Sequence, residues 1–332
     1  MRAGKFAAIF ATATLLFSFL PSPAGAAISI KIAIAYDTGG RGDHGINDAA
    51  AQGVDAIKKK YGLSSLAVRE IVTNGTESDR ESRLQFLASA NYNLIVAIGP
   101  GYAAAVSLVA AANPTIEFAL INDASIGDLN ITDLVFSHRE GAYLAGALAG
   151  AATITNKVAF LGPISSGPFI ADFQRGLSSV NPKVILKSVL IDSSPASATR
   201  ALVSQGADVV YSEWTSSSEV QNAVAALSTV KHPVYLIGMT PDQYFLLGKG
   251  SQKILIGAVS KHVDKAVEDV MTAAINSQSI IDVLDAKAGI YGHMYTAKDG
   301  GVSIALTALG ARYSVKVSAA LLKLKSGKVK LP

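Results

Sequence analysis

The chain has 332 residues, 50% of them hydrophobic and 16% charged, and contains no cysteine. That length supports two domains with buried cores, and the missing cysteines exclude disulfide scaffolds, thiolate metal sites, Cys nucleophiles and a lipidated cysteine anchor. The net charge of +4, from 29 basic against 25 acidic residues, provides no dense basic stripe, so nucleic acid is not expected as a partner.

Residues 1–26 read as a signal peptide. Arg2 and Lys5 precede the uncharged apolar run Phe6–Leu20, and Pro21-Ser-Pro-Ala-Gly-Ala26 supplies small residues at Ala24 and Ala26 for cleavage before Ala27. The run of 15 residues is shorter than the ~20 needed to cross a bilayer. Removing the leader leaves 27 basic and 25 acidic residues, a charge of +2, so much of the basicity belongs to the export address. The mature protein is expected to be soluble and exported, periplasmic or extracellular, and not lipid-anchored through Cys.

Ile28–Tyr36 reads as a strand, followed by a Gly-rich loop and a helix with Ala50, Val54, Ile57 and Tyr61 on one face. Strands are predicted at Ala67–Thr73, Leu94–Gly99 and Ile116–Ile121, with helical segments between them. The run Ala142–Ala152, short and rich in Ala and Gly, reads as a tightly packed helix rather than a membrane span. A second series of strands follows at Lys157–Gly162, Lys183–Ile191, Asp208–Tyr211 and Pro233–Gly238, and one intervening helix carries Phe169, Phe173 and Leu177. The tail reads as a strand at Lys253–Ser260, a helix at Val263–Ile275, an irregular stretch through Asp299-Gly-Gly301 and a final helix at Ala319–Lys325.

This alternation is the mark of parallel βαβ units. It predicts an α/β protein of two Rossmann-like lobes, each with a sheet of about four parallel strands. No low-complexity linker separates them, so the chain is expected to cross more than once and form a multi-strand hinge. The expected lobes are 27–137 plus about 261–288, and 138–260 plus about 289–332.

Enzyme motifs are absent: the sequence has no P-loop, no G-x-G-x-x-G, no H-E-x-x-H and no G-x-S-x-G. His44, His138, His232, His262 and His293 never stand at metal-ligand spacing. No catalytic residue, metal or cofactor is therefore expected. In open α/β sheets ligands bind beyond the carboxyl ends of the strands. Those ends carry Asp37, Gly99-Pro-Gly-Tyr102, Asn122-Asp123, Gly162–Gly167, Asp192, Glu213-Trp214 and Thr240-Pro-Asp-Gln243. Two facing lobes with such edges make a ligand clamp, although Asp, Asn and Gly are also ordinary turn residues.

Asp37-Thr-Gly-Gly-Arg-Gly-Asp-His-Gly-Ile-Asn47, with Ala49, Ala50 and Gly53, resembles the signature D-x-G-x(3)-D-x-S-F-N-x(2)-A-x(2)-G. That signature marks the basic membrane protein family of ABC-transporter solute-binding proteins, whose characterised members bind purine nucleosides. Glu140-Gly-Ala-Tyr-Leu-Ala-Gly146, Lys157-Val-Ala-Phe-Leu-Gly162, Ile237-Gly-Met-Thr-Pro-Asp-Gln243, Ala258-Val-Ser-Lys261, Asp299-Gly-Gly-Val302 and the segment from Ser326 to Pro332 are similar to further family segments in the same order.

The resemblance implies a periplasmic-binding-protein fold of type I. It also implies that Asp37 and Asn47 approach the base and that Lys261 holds ribose hydroxyls, with aromatic faces stacking on the ring. The sequence departs from the pattern at several positions. Ile46 stands for the stacking Phe, Asn122 for an Asp with Asp123 beside it, Thr240 for another Asp with Asp242 nearby, and Trp214 enters a loop that is Gly-rich in the family. Tyr102 and Phe169 sit near other strand ends, where they could take over stacking, and Glu213 could replace a lost carboxylate.

The expected function is capture of a nucleoside or nucleobase-like solute between two lobes, by a monomer that delivers it to an ABC permease. The expected ligand-binding residues are Asp37, Asn47, Ile46, Asn122, Asp123, Trp214, Thr240, Asp242 and Lys261. The alternatives are a ligand-sensing receptor module of the same fold and a binding protein for a sugar or other small polar solute. An enzyme using Asp43 and His44 as acid and base ranks below these, because Asp43 reads as an organiser of the Gly-rich loop and His44 as solvent-facing.

Overall fold

The computed structural model describes residues 30–64, 67–214, 218–239, 252–278, 284–285 and 289–331. The expected signal peptide, Thr240 and Asp242 lie outside the described residues. No helix among those described is long and apolar enough to cross a membrane.

In chain order, β1 (Ile32–Tyr36), α1 (Ile46–Tyr61), β2 (Val68–Val72), α2 (Glu77–Ser89), β3 (Leu94–Ile98), α3 (Ala103–Ala112), β4 (Glu117–Ile121) and β5 (Ile131–Phe136) build the first unit. The second comprises α4 (His138–Ala152), β6 (Lys157–Gly162), α5 (Ile170–Val180), β7 (Ile185–Leu190), α6 (Pro195–Ser204), β8 (Val209–Ser212), α7 (Glu219–Leu227), β9 (Tyr235–Gly238) and β10 (Leu255–Lys261). The tail adds α8 (Val263–Ile275), β11 (Leu284–Asp285), β12 (Ile290–Tyr295), β13 (Val302–Leu306) and α9 (Ser314–Lys325).

The strands form two sheets, ordered β11-β12-β5-β4-β3-β1-β2 and β13-β10-β9-β8-β6-β7. Pairing is parallel throughout except at the edges, where β11 runs against β12 and β13 against β10. Both sheets exceed the expected four strands. β5 escaped the sequence reading because Thr132 and Asp133 interrupt its apolar run, although both are buried. The tail also differs from expectation. Ile290–Tyr295 pairs with β5 in the first sheet, so the chain returns to the second lobe after Tyr295 and not near residue 289.

Parallel strands covered on both faces read as continuous apolar runs. On β1, Ile32, Ile34 and Tyr36 face α1 and α8, packing with Val54, Ile57, Val263 and Val267, while Ala33 and Ala35 face α2 and α3 and pack with Leu84, Leu87 and Val106. The second sheet repeats the arrangement, with α4 and α5 on one face and α6 and α7 on the other.

Helix α4 is apolar all round because it serves both cores. Tyr143, Leu144 and Ala147 join the first lobe's cluster, and Ala142, Ala145 and Leu148 join the second's. It lies so close to α5 that a Cβ on Gly146 would overlap the Phe173 carbonyl, and one on Gly176 the Tyr143 carbonyl.

Among the described residues three segments cross between the lobes: Phe136 to His138, Lys261 to Val263, and Tyr295 to Val302. They are tied to one another. The Ser137 amide donates to the Tyr295 carbonyl (2.9 Å), the His262 amide to the Gly301 carbonyl (2.9 Å), and the Ala297 amide to Glu140 Oε2 (2.5 Å). The hinge is thus a laced bundle of short crossings and not a tether.

Candidate functional site

The carboxyl ends of both sheets open onto a cleft of about 740 Å³ between the lobes. Asp37 follows β1, Gly99 follows β3 and Asn122 follows β4, and they face Pro163 after β6, Glu213 after β8, Met239 after β9 and Lys261 at the end of β10. This is where open parallel sheets place ligands.

The wall of the first lobe is built from the Gly-rich loop. Asp43 accepts from the backbone amides of Gly45 (2.8 Å), Asp48 (3.0 Å) and Asn47 (3.2 Å), and Asp48 accepts from those of Gly42 (2.6 Å) and His44 (3.0 Å). The two carboxylates satisfy amides around the start of α1, where the helix dipole also favours negative charge. Asn47, 1% exposed, clips the loop to β1: Oδ1 accepts from the Asp37 amide (3.0 Å), and Nδ2 donates to the carbonyls of Asp37 (3.3 Å) and Thr38 (3.2 Å).

Asp37 Oδ1 accepts from Arg80 Nη2 at 2.8 Å, and the Arg80 guanidinium lies 5.6 Å from the Tyr102 ring centroid. Gly53 seats α1 against α8, since a Cβ there would overlap the Asp264 carbonyl oxygen. Arg41 is held away in a local ion-pair cluster with Asp55 and Glu70.

The wall at the hinge is different. Lys261 Nζ lies 2.7 Å from His138 Nε2 and 3.3 Å from Asn122 Oδ1. Asn122 adopts φ of 67°, a left-handed conformation that Asn tolerates, which turns its amide toward the hinge. The His138 ring stacks on Phe169 with centroids 5.2 Å apart and planes at 21°. Burial and the neighbouring ammonium push the His138 imidazolium down to about 4, so the ring is neutral at physiological pH. Burial lowers Lys261 to about 8, against the field of Glu213. Burial also raises the Glu213 carboxyl, in spite of its bonds to Ser166 and to the Tyr211 hydroxyl (3.0 Å).

Of the residues expected from sequence to bind ligand, Asp37, Ile46, Asn122 and Lys261 line the cleft. Asn47, Asp123 and Trp214 do not. The Asn47 side chain is taken up by the loop, and Asp123 Oδ1 accepts from the amide and hydroxyl of Ser125 at 2.8 and 2.5 Å. Trp214 packs on the outer face of the second sheet with the cluster of Leu161, Val210 and Leu236. Tyr102 is fully buried, its hydroxyl donating to the Tyr36 carbonyl at 3.0 Å, so among the described aromatic side chains expected to stack only Phe169 lines the cleft. Asp43 and His44 do reach the cleft, but Asp43 is occupied with backbone amides and is no acid/base partner for His44. His138 was missed. Its signal was positional, since it follows a strand end, but that strand was itself unread.

Comparison with known proteins gives a consistent picture. The family model for Bmp, described as ABC transporter substrate-binding protein PnrA-like, matches residues 30–318. An ABC transporter nucleoside-binding protein, BmpA of Lactococcus lactis subsp. cremoris, is 25% identical over 91% of this chain and 89% of its own length. An uncharacterized lipoprotein of Pyrococcus abyssi is 36% identical over 36% of this chain and 29% of its own. A solved ABC transporter solute-binding protein from Conexibacter woesei superposes with a TM-score of 0.69 at 20% identity, covering 92% of this chain and 99% of the other, which shows the shared periplasmic-binding-protein architecture. The match over most of its length and the interlobe cleft agree: this chain belongs to the Bmp family of ABC transporter substrate-binding proteins, which bind a small-molecule substrate for a membrane permease and are not enzymes.

Proposed function

We propose that the protein is exported and captures a nucleoside or nucleobase-like compound in the interlobe cleft by closure of the laced hinge. The observation that carries this reading is the cleft itself. About 740 Å³ lies within the range of small-molecule sites, and the aromatic face of Phe169 and the polar groups of Asp37, Asn122 and Lys261 converge on one volume. A flat ring suits the stacking surface, and donors and acceptors around it suit ring nitrogens and oxygens. The 25% identical relative named for nucleoside binding supports the same ligand class. Export rests on the leader pattern of Arg2, Lys5 and Phe6–Leu20, and the lack of cysteine argues against the lipid anchor by which some relatives are named.

Titration of the protein with nucleosides, nucleobases, sugars and amino acids by calorimetry tests the ligand class. Binding of either of the first two supports the reading. Binding of a sugar or amino acid with neither of the first two overturns it. N-terminal sequencing of the exported protein tests the leader, the expected first residue being Ala27.

A further inference from the structure

The groups at the hinge end of the cleft have a common polarity. A charged lysine has donors only, so Lys261 at 2.7 Å forces His138 Nε2 to act as acceptor. The imidazole proton of the neutral ring then sits on Nδ1, which is buried and has no partner. The same argument fixes the Asn122 amide: Oδ1 faces the ammonium at 3.3 Å, leaving its NH2 as the outward group. Lys261 and Asn122 thus turn donors toward the cleft that they line, while the proton of His138 is buried.

The charge is equally one-sided. Asp37 is paired with Arg80, Asp43 is bonded to backbone amides, and Asp264 lies 3.5 Å from His262. Glu213 faces the same space, yet its carboxyl is bonded to Tyr211 and Ser166. No described carboxylate forms an ion pair with Lys261, whose hydrogen-bond partners are an imidazole and an amide. A largely buried ammonium that meets Glu213 only through its field, with no described carboxylate in ion-pair contact, is poorly compensated and is relieved by an incoming anion.

We infer that the preferred ligand is an anionic heterocycle, a ring compound carrying a carboxylate or an ionised ring oxygen, whose charge docks on Lys261 and Asn122 while its plane lies along the His138–Phe169 stack. This inference rests on the proposed function and narrows its ligand class from neutral nucleosides to nucleobase-like anions. An anionic oxygen pair would accept a hydrogen bond from each of two donors, as buried carboxylates do.

The experiment uses matched probes that differ in charge: orotate against uracil, and urate against hypoxanthine, with uridine and inosine as neutral ribosides. Calorimetry at neutral pH is expected to give at least tenfold tighter binding for the anion of one pair. In Asn122→Asp, which sets a carboxylate beside the ammonium with little change of shape, that preference is expected to fall at least tenfold. Lys261→Met should abolish the preference as well, with thermal unfolding confirming that each variant is folded.

Equal affinities within both pairs, tighter binding of the neutral ribosides, or no binding by either anion overturns the inference and leaves the nucleoside reading standing if a riboside or base binds. A preference that survives in Asn122→Asp overturns it too. Failure of all six probes alongside binding of a sugar or amino acid overturns the proposed function instead.

Discussion

The two walls of the cleft obey different rules. On the first lobe, Asp43, Asn47 and Asp37 are each matched to an amide, a carbonyl or a guanidinium of the chain itself, so the loop is finished before any ligand arrives. At the hinge, Lys261, His138 and Glu213 have all been moved by burial toward their uncharged forms, and His138 Nδ1 has no partner. One wall is a scaffold with its polar groups satisfied. The other holds polar groups at an energetic disadvantage that a ligand can remove. The difference implies opposite signs for mutations on the two sides: changes to the first wall should destabilise the protein, whereas removing the hinge charge should stabilise it and impair recognition.

The largest effect is expected for Asn47→Ala. It deletes three bonds and leaves the Asp37 amide without its acceptor in a buried setting, so a loss of about 2–4 kcal/mol in unfolding free energy is expected. Denaturant unfolding measures it, and a loss below about 1 kcal/mol would break the comparison, because the first wall would then not rest on this clip.

Lys261→Met should act the other way, raising the stability of the ligand-free protein by roughly 1–3 kcal/mol at neutral pH. The pH dependence carries the same information. With Lys261 near 8 in the folded protein against an ordinary 10.5, the unfolded chain holds the proton more tightly over that window, so wild-type stability should climb as pH rises from about 8 to 10.5. The difference in stability between wild type and Lys261→Met should shrink across the same window. A difference that is constant with pH would mean that the ammonium is not disfavoured by burial.

A smaller contrast is expected in acid. His138 titrates near 4 when folded against an ordinary 6.5, so the unfolded chain takes up a proton first and stability should fall as pH drops from 6.5 to about 4. His138→Phe, which keeps a ring against Phe169, should flatten that slope. On the first lobe, burial opposes ionisation of Glu70, but its bonds to Arg41, Lys58 and Tyr36 prevail and hold it at about 2. Its contribution should persist until pH falls below 4.5 and should disappear toward 2. Two separate acid limbs, with only the upper one removed by His138→Phe, are the expected outcome of thermal unfolding measured against pH.

Strands such as Leu94–Ile98 were legible because burial on both faces leaves an unbroken apolar run. Ile131–Phe136 was not, because Thr132 and Asp133 are buried in it for reasons that only the neighbouring chain supplies, burial raising the Asp133 carboxyl to about 6. Ile290–Tyr295 was hidden by Gly292, which has a φ of 142° where a Cβ would meet the backbone of Asp133. The same logic governs the cleft. Asp37, Asn122 and Lys261 could be found because they end strands that read clearly. His138 could not, since it ends one that did not, and the pairing of its ring with Lys261 joins residues far apart in sequence.

The smallest expected effect belongs to Trp214, and it tests whether composition or position is the better guide. A lone tryptophan in a polar loop after β8 invites assignment to the ligand, and a stacking role would make Trp214→Phe weaken binding. In the structure its ring packs with Leu161, Val210 and Leu236 beneath α6 and α7, on the far side of the sheet from α4, and its indole Nε1 is buried without a partner. Phe removes that unpartnered donor and some packing together, two changes that oppose each other, so stability should move by less than about 1 kcal/mol. Ligand affinity should stay within about twofold of wild type, the size of a surface-level perturbation. A larger loss of affinity, with unfolding unchanged, would put Trp214 at the ligand and move recognition away from the hinge wall.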